Sequence, residues 1–247
     1  MGRFALKVII LFSIPFFWGC AVTPQNNVNF SPAFWENKEQ SIGVYVTELP
    51  EVKGHISGAG CLLCLATASA INSDLNTHMK EQSNADLSDI QTLLVASLNE
   101  RGINAKPVAG PIDISKLAKY SSQEVNAARK DFTSLSEELN VDQLMVVSIN
   151  TLGTMRNFAN YVPVGDPFAT FNAVMYVVDT KTNTYNFYEA INLAQYSETP
   201  WKEENFPGVT NAYYTALELG KTRILDLNVV APSAPVAASE ESVGEDS

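Results

Sequence analysis

Histidine is scarce, with two in 247 residues, and there are only three cysteines. Basic side chains are few: 16 Lys and Arg stand against 27 Asp and Glu, a formal charge of −11. Two imidazoles exclude most His-built metal and acid–base centres. Three cysteines exclude a small fold held together by disulfides. So acidic a body releases no counterions from a phosphate backbone, which argues against a nucleic-acid partner. No G-x-S-x-G, P-loop or G-x-G-x-x-G occurs, and no internal repeat is visible. What remains is a chain with 46% apolar residues and a length that suits one domain with a real core.

The amino-terminal segment says most about destination. Arg3 and Lys7 form a short basic region, and Val8–Trp18 (VIILFSIPFFW) carries no charge. A helix of that length is about half of the ~30 Å hydrocarbon core, so it reads as a secretory signal and not as a span. The segment closes on Phe17-Trp18-Gly19-Cys20, which resembles a bacterial lipobox. That resemblance implies cleavage before Cys20 and its acylation with diacylglycerol and palmitate. Phe17 and Trp18 depart from the common pattern, in which Leu and a small residue stand there. Ala21 after the cysteine fits sorting to the outer membrane. Loss of Arg3 and Lys7 makes the mature chain more acidic still, so acyl chains, at about 0.8 kcal/mol per buried methylene, would hold it to the membrane.

The chain then divides into a signal peptide at 1–19, a polar tether at 20–40, a folded body at 41–229 and a tail at 230–247. Phe30, Phe34 and Trp35 in the tether are candidates to dock back on the body. The tail has no aromatic or basic residue and cannot bury enough surface to offset ordering. Ser41–Glu48 alternates as a strand, with Ile42, Val44 and Val46 on one face. Leu87, Ile90, Leu94 and Leu98 make a helical stripe capped from Asn84 or Asp86. Ile103–Val108 is a short strand and Val125–Leu139 a helix. Gln143–Thr151, Thr170–Asp179 and Thr184–Leu193 form a meander with a turn at Thr180–Asn183. Thr210–Leu227 is the last helix. This order gives an α/β fold: a mixed sheet of about five strands with packed helices, sandwich-like.

Residues 86–227 carry a resemblance. A helix ends in LNERG and the strand INAKPV follows. A second helix, FTSLSEELNV, leads into the strand DQLMVVSI. A hairpin strand then ends in Val178-Asp179-Thr180-Lys181-Thr182-Asn183 before the closing helix. This resembles bacterial envelope lipoproteins of the curli-secretion-channel and penicillin-binding-protein-activator type. It is also similar to the amino-terminal domain of the Tol propeller protein. Those proteins place Gly where Asn183 stands, and Asn also tolerates positive φ. The resemblance implies an envelope α/β domain that binds other proteins.

Few constellations could carry chemistry. Cys61 and Cys64 lie in GAGCLLCLA, with His55 and His78 to either side. A disulfide, two buried thiols, a metal site or a redox pair would each fit C-x-x-C. No base or cation lies within five residues to activate a thiol, which favours the disulfide. Residues 56–73 carry no charge, and suit either a helix buried against the sheet or a surface that meets a membrane or partner. The pairs Glu137-Glu138 and Glu203-Glu204 read as solvated helix faces. The loops 157–168 and 195–208 exit at one end of a three-stranded meander. They gather Phe158, Tyr161, Phe168, Tyr196, Trp201 and Phe206, either to cap the core or to bind a partner. Trp201, between Pro200 and Lys202, looks exposed and comes first as a binding residue; Tyr161 comes second.

These features together lead to the expectation of a lipid-anchored outer-membrane protein facing the periplasm. It would be a non-catalytic binding or accessory subunit of an envelope assembly, with no cofactor or metal and an envelope protein as partner. The alternatives are an oligomeric secretion or pore component and a thiol-dependent envelope enzyme using Cys61 and Cys64. Mass spectrometry of the mature amino terminus is expected to find acylated Cys20; an unmodified terminus at another residue would sink the anchor.

Overall fold

Six strands make one mixed sheet in the computed structural model, which describes residues 24–227. The signal segment, Cys20 and the tail at 230–247 lie outside the described residues. The strands are β1 (Ser41–Val46), β2 (Val52–Ser57), β3 (Asn104–Pro107), β4 (Gln143–Ala159), β5 (Val162–Asp179) and β6 (Thr184–Tyr196). The order across the sheet is β3-β1-β4-β5-β6. β1 is parallel to β3 and β4, whereas β4, β5 and β6 run antiparallel. β2 continues the line of β1 along the same edge of β4, pairing in parallel from Val52 opposite Leu152 to Ser57 opposite Asn157. The fold class read from the sequence is thus present, with β2 as an extra strand.

One face of the sheet packs against helices: α3 (Ser73–Lys80), α4 (Ile90–Glu100) and α6 (Pro207–Leu225). Ile42, Val44, Met145, Val147, Phe171 and Met175 meet Leu75, Leu94, Leu98, Tyr213, Leu217 and Ile224 in the main core. The alternating strand positions and the helical stripes supply these contacts. Gly220 lets α6 lie directly on Phe171, since a Cβ there would stand 2.6 Å from the ring. α4 starts later than the capping residues suggested, because Ala85–Leu87 forms a 3-10 turn ahead of it. The other face carries a smaller core around Tyr45, Leu144, Val146, Tyr176 and Val178, covered by Val108, Ala128, Phe132 and Leu135.

Two expectations need correction. Only α5 (Leu135–Leu139) of the proposed helix over 125–139 forms. Upstream, the buried Asn183 competes for the backbone: its Oδ1 accepts from Phe132 N–H at 2.9 Å and its Nδ2 donates to Lys130 O at 3.0 Å. Those tertiary bonds hold 128–132 as irregular, non-helical backbone, although Phe132, Leu135 and Leu139 have helical spacing. The tether also shortens. Val28 pairs with Tyr188, and Phe30 stacks on Phe187 with ring centroids 4.4 Å apart. Phe34 of α1 (Pro32–Glu36) is buried, so this stretch belongs to the folded body.

Asp142, just ahead of β4, ties three segments together. Its Oδ2 accepts from Ser41 N–H at 3.0 Å and from the Ser41 hydroxyl at 2.8 Å, and Lys181 Nζ lies 2.7 Å from Oδ1. The ammonium of Lys181 first, and then the two Ser41 donors, hold this carboxyl down at about 2. A depressed folded pKa contributes stability above the ordinary Asp value and loses it as pH falls through the folded one. Asp142→Asn is therefore expected to be less stable than the parent at neutral pH. It should also lose less stability between about pH 4 and pH 2, as urea midpoints measured across that range would show.

Candidate partner-binding end of the sheet

The meander places its ends as strand alternation requires. The 180–183 turn lies at one end; the β4–β5 turn at Asn160-Tyr161 and the 197–206 segment lie at the other. Asn160 makes the tight turn with φ of 59°. The six aromatic candidates share this end but do not form one group.

Phe158, Trp201 and Phe206 collect around Arg156. The Arg156 guanidinium lies 4.5 Å from the Trp201 ring centroid and 5.7 Å from that of Phe158. Trp201 stacks near Phe206 at 6.3 Å, and Phe206 contacts His78 at 5.3 Å. Arg156 is 7% exposed; Nη1 donates to Asn72 Oδ1 at 2.9 Å, while buried Nε finds no acceptor. Burial pulls the guanidinium pKa down, and the Asp166 carboxylate opposes that. Two rings stacked on a buried cation replace some of its lost hydration. Trp201 is thus half-buried, not exposed as its charged neighbours suggested: its ring covers Arg156. Phe168 and Tyr196 form a separate cross-strand pair at 5.2 Å. Tyr161 stands apart at the turn.

A further feature of this end was not singled out by the aromatic pattern. Helix α2 (Leu62–Ile71) reads LLCLATASAI and is apolar on every side. It rests on the domain through Cys64 and Ala68, one turn apart, and leaves Leu62 90% and Leu63 77% exposed. Leu65 and Ile71 are exposed as well. The buried-helix alternative for residues 56–73 is therefore not what forms: 52–57 is strand, 58–61 a turn and the rest an exposed helix. The turn fits against the β4–β5 hairpin because Gly58 adopts φ of +81°, and any Cβ there would lie 2.0 Å from Phe158 O. Asn160 N–H donates to Gly58 O at 3.2 Å, which fixes the start of α2 beside the hairpin tip. There Tyr161, Val162 and Val164 are also exposed. Residues 54–73 and 157–165 contain no Asp, Glu, Lys or Arg. The part of this end built by α2 and the β4–β5 turn is therefore uncharged and largely apolar, beside the charged 197–206 segment.

The supports of α2 connect the two groups. Asn72 is its C-cap residue and is the acceptor for Arg156. Trp201 covers Arg156, Arg156 holds Asn72, and Asn72 ends α2. At the other terminus Cys61 is the N-cap residue, joined to Cys64 by a disulfide with Cα atoms 4.9 Å apart. The four residues weighed as metal ligands do not converge: His55 Nε2 lies 3.2 Å from Leu152 O and His78 Nε2 lies 2.7 Å from Thr210 Oγ1. Among the described residues no group of three or more His, Cys, Asp or Glu side chains gathers to hold a metal. No helix there is long and apolar enough to cross a membrane.

No family model and no curated protein matches the chain. Solved structures to which it is similar include a Xanthomonas campestris protein described as DUF330. That protein is 12% identical, with 82% of this chain and 90% of that one covered at a TM-score of 0.35. The PelC dodecamer from Paraburkholderia phytofirmans is 8% identical over 74% of this chain and 86% of its own, with a TM-score of 0.29. A lipoprotein from Neisseria meningitidis is 12% identical over 74% and 99%, with a TM-score of 0.26. At these identities and scores the likeness carries no argument about activity, partner or location.

Because Trp201 covers a buried cation, Trp201→Ala is expected to destabilise the fold by about 2 kcal/mol, below the value for a fully buried ring. An early urea midpoint checks this; an unchanged midpoint would return Trp201 to the exposed binding residues.

Proposed function

We propose that this chain is a lipid-anchored, non-catalytic binding or accessory subunit of a cell-envelope assembly. Acylated Cys20 holds it at the outer membrane, facing the periplasm, and the apolar end built by α2 and the β4–β5 turn meets a protein partner. The observation that carries this reading is the exposure of α2. A helix that is apolar all round normally lies inside a protein, and contiguous exposed apolar surface marks an interaction site. Covering Leu62, Leu63 and Tyr161 would contribute several kcal/mol, at about 1.5–3 kcal/mol for each fully buried large side chain. α2 has no basic or acidic residue and hence no polar face for lipid headgroups. That favours a protein partner over a bilayer lying on the helix. The non-catalytic part of the reading rests on the sequence, which lacks the nucleophile and phosphate-binding motifs of the common enzyme classes.

The reading is tested with a photo-crosslinking residue at Leu63 or Tyr161, and at Lys181 on the opposite end of the sheet as a control. Leu63 and Tyr161 are expected to trap one envelope protein that Lys181 does not. The double variant Leu62→Ser, Leu63→Ser should weaken capture at least about tenfold, or about 1.4 kcal/mol, at an unchanged melting temperature. Equal trapping from Lys181, or undiminished capture by the double variant, overturns the assignment.

A further inference from the structure

The cysteine pair sits where a disulfide has little structural work to do. Both cysteines belong to the same short helix, so the bond joins no two parts of the fold. It closes a ring of four residues, and the chain entropy removed by a cross-link grows only with the logarithm of loop length. The two sulfurs have unlike surroundings. Cys64 is buried beneath α2, whereas Cys61 is exposed at its amino terminus. Cys64 N–H donates to Cys61 Sγ at 2.9 Å. A thiolate at Cys61 would keep that donor and face the positive end of a ten-residue helix, both of which favour the charged form of a thiol. The approach is open: next to Cys61, a Cβ added at Gly60 would meet nothing within 4 Å. On the other side the exposed Leu62 and Leu63 offer apolar surface to an incoming chain.

The absence of an activating base nearby favoured a structural disulfide. The fold supplies activation of another kind, from the backbone. We propose that Cys61–Cys64 is an exchangeable redox pair that accepts two electrons from a dithiol, with Cys61 Sγ as the atom attacked. The exchange runs in two steps. One thiolate of the donor attacks Cys61 Sγ, the bond to Cys64 breaks, and Cys64 leaves with the electron pair and takes a proton. The second donor thiolate then attacks its own partner sulfur in the mixed disulfide and releases Cys61 as a thiolate. The donor ends as a disulfide, having lost two electrons and two protons, and Cys61 and Cys64 end reduced. Burial of Cys64 directs the attack to Cys61, because an in-line approach to the inner sulfur is blocked by the domain. The inference does not depend on the identity of any binding partner at the apolar end.

The test uses the mature protein with dithiothreitol as donor, acid quenching, alkylation and mass spectrometry. The pair is expected to be reduced in the native protein within about tenfold of its rate in the urea-unfolded chain, because a labile disulfide is accessible without unfolding. A Cys64→Ser variant exposed to oxidised glutathione should form the mixed disulfide at Cys61. Its pH-dependent alkylation should show a midpoint below the ordinary thiol value of about 8.5. Reduction at least about a hundredfold slower in the native protein than in urea would overturn the proposal and leave a structural disulfide. An ordinary midpoint at Cys61 would also overturn it. The wild-type rate decides the question even if Cys64→Ser does not fold.

Discussion

The architecture depends on how far β4 can run, and Gly153 sets that. At this position φ is +124°, and a Cβ would lie 2.0 Å from the carbonyl oxygen of Lys53. A side chain could not be placed there without pushing β2 away. The register of β4 against β5 shifts between Ile149 and Thr151, just before this glycine, which is how a bulge lets a strand bend and continue. Because β4 continues, its first half pairs with β1 and its second half with β2. The interruption between those two strands holds Pro50, whose carbonyl accepts from Asn84 Nδ2 at 3.1 Å. Everything at the apolar end is carried by the part of the sheet beyond Gly153.

This explains which parts of the fold were legible. Ile42 and Val44, and Phe171, Ala173, Met175 and Val177, alternate cleanly because one face of each strand meets the helical core. The stripe of Leu94 and Leu98 was legible for the same reason. Asn183 could be read as a turn residue, and it has φ of 58°. β2 could not be read: Val52–Ser57 is buried at Val52 and only partly covered beyond it, so no alternation is imprinted on its sequence. The segment 125–134 was misleading in the opposite sense. Its apolar spacing suits a helix, yet the side chain of one buried residue fifty positions later captures its backbone. Local sequence cannot report a competitor of that kind.

The candidate site was legible in composition and not in role. The aromatic residues do share one end of the sheet, because strand direction alone puts them together, although Phe158, Phe168 and Tyr196 belong to strands that run further than the expected loops allowed. What they do there depends on Arg156, and a lone arginine in a strand gives no sign that it will be buried between two rings. Trp201 sits among proline and charged residues, which describes its neighbours in sequence and not the cation beneath it. The uncharged block from 56 to 73 was ambiguous for a different reason. A helix that is apolar all round looks the same in sequence whether its own domain covers it or another molecule does.

That ambiguity bears on how α2 exists at all. A helix of ten residues is marginal in water by itself, because forming the first turn costs more than one hydrogen bond returns. Most helices of this size gain their stability from a buried face, yet α2 buries only Cys64 and Ala68. It is instead held at its two ends. The Cys61 cap, whose sulfur accepts from Cys64 N–H, fixes the first turn whether or not the pair is bonded, and the Arg156 hydrogen bond to Asn72 fixes the last. End restraints of this kind leave the leucines facing outward, which burial could not do. The apolar surface, the cysteine pair and the cation under Trp201 are therefore parts of one arrangement. It presents a hydrophobic helix to solvent without requiring the domain to cover it.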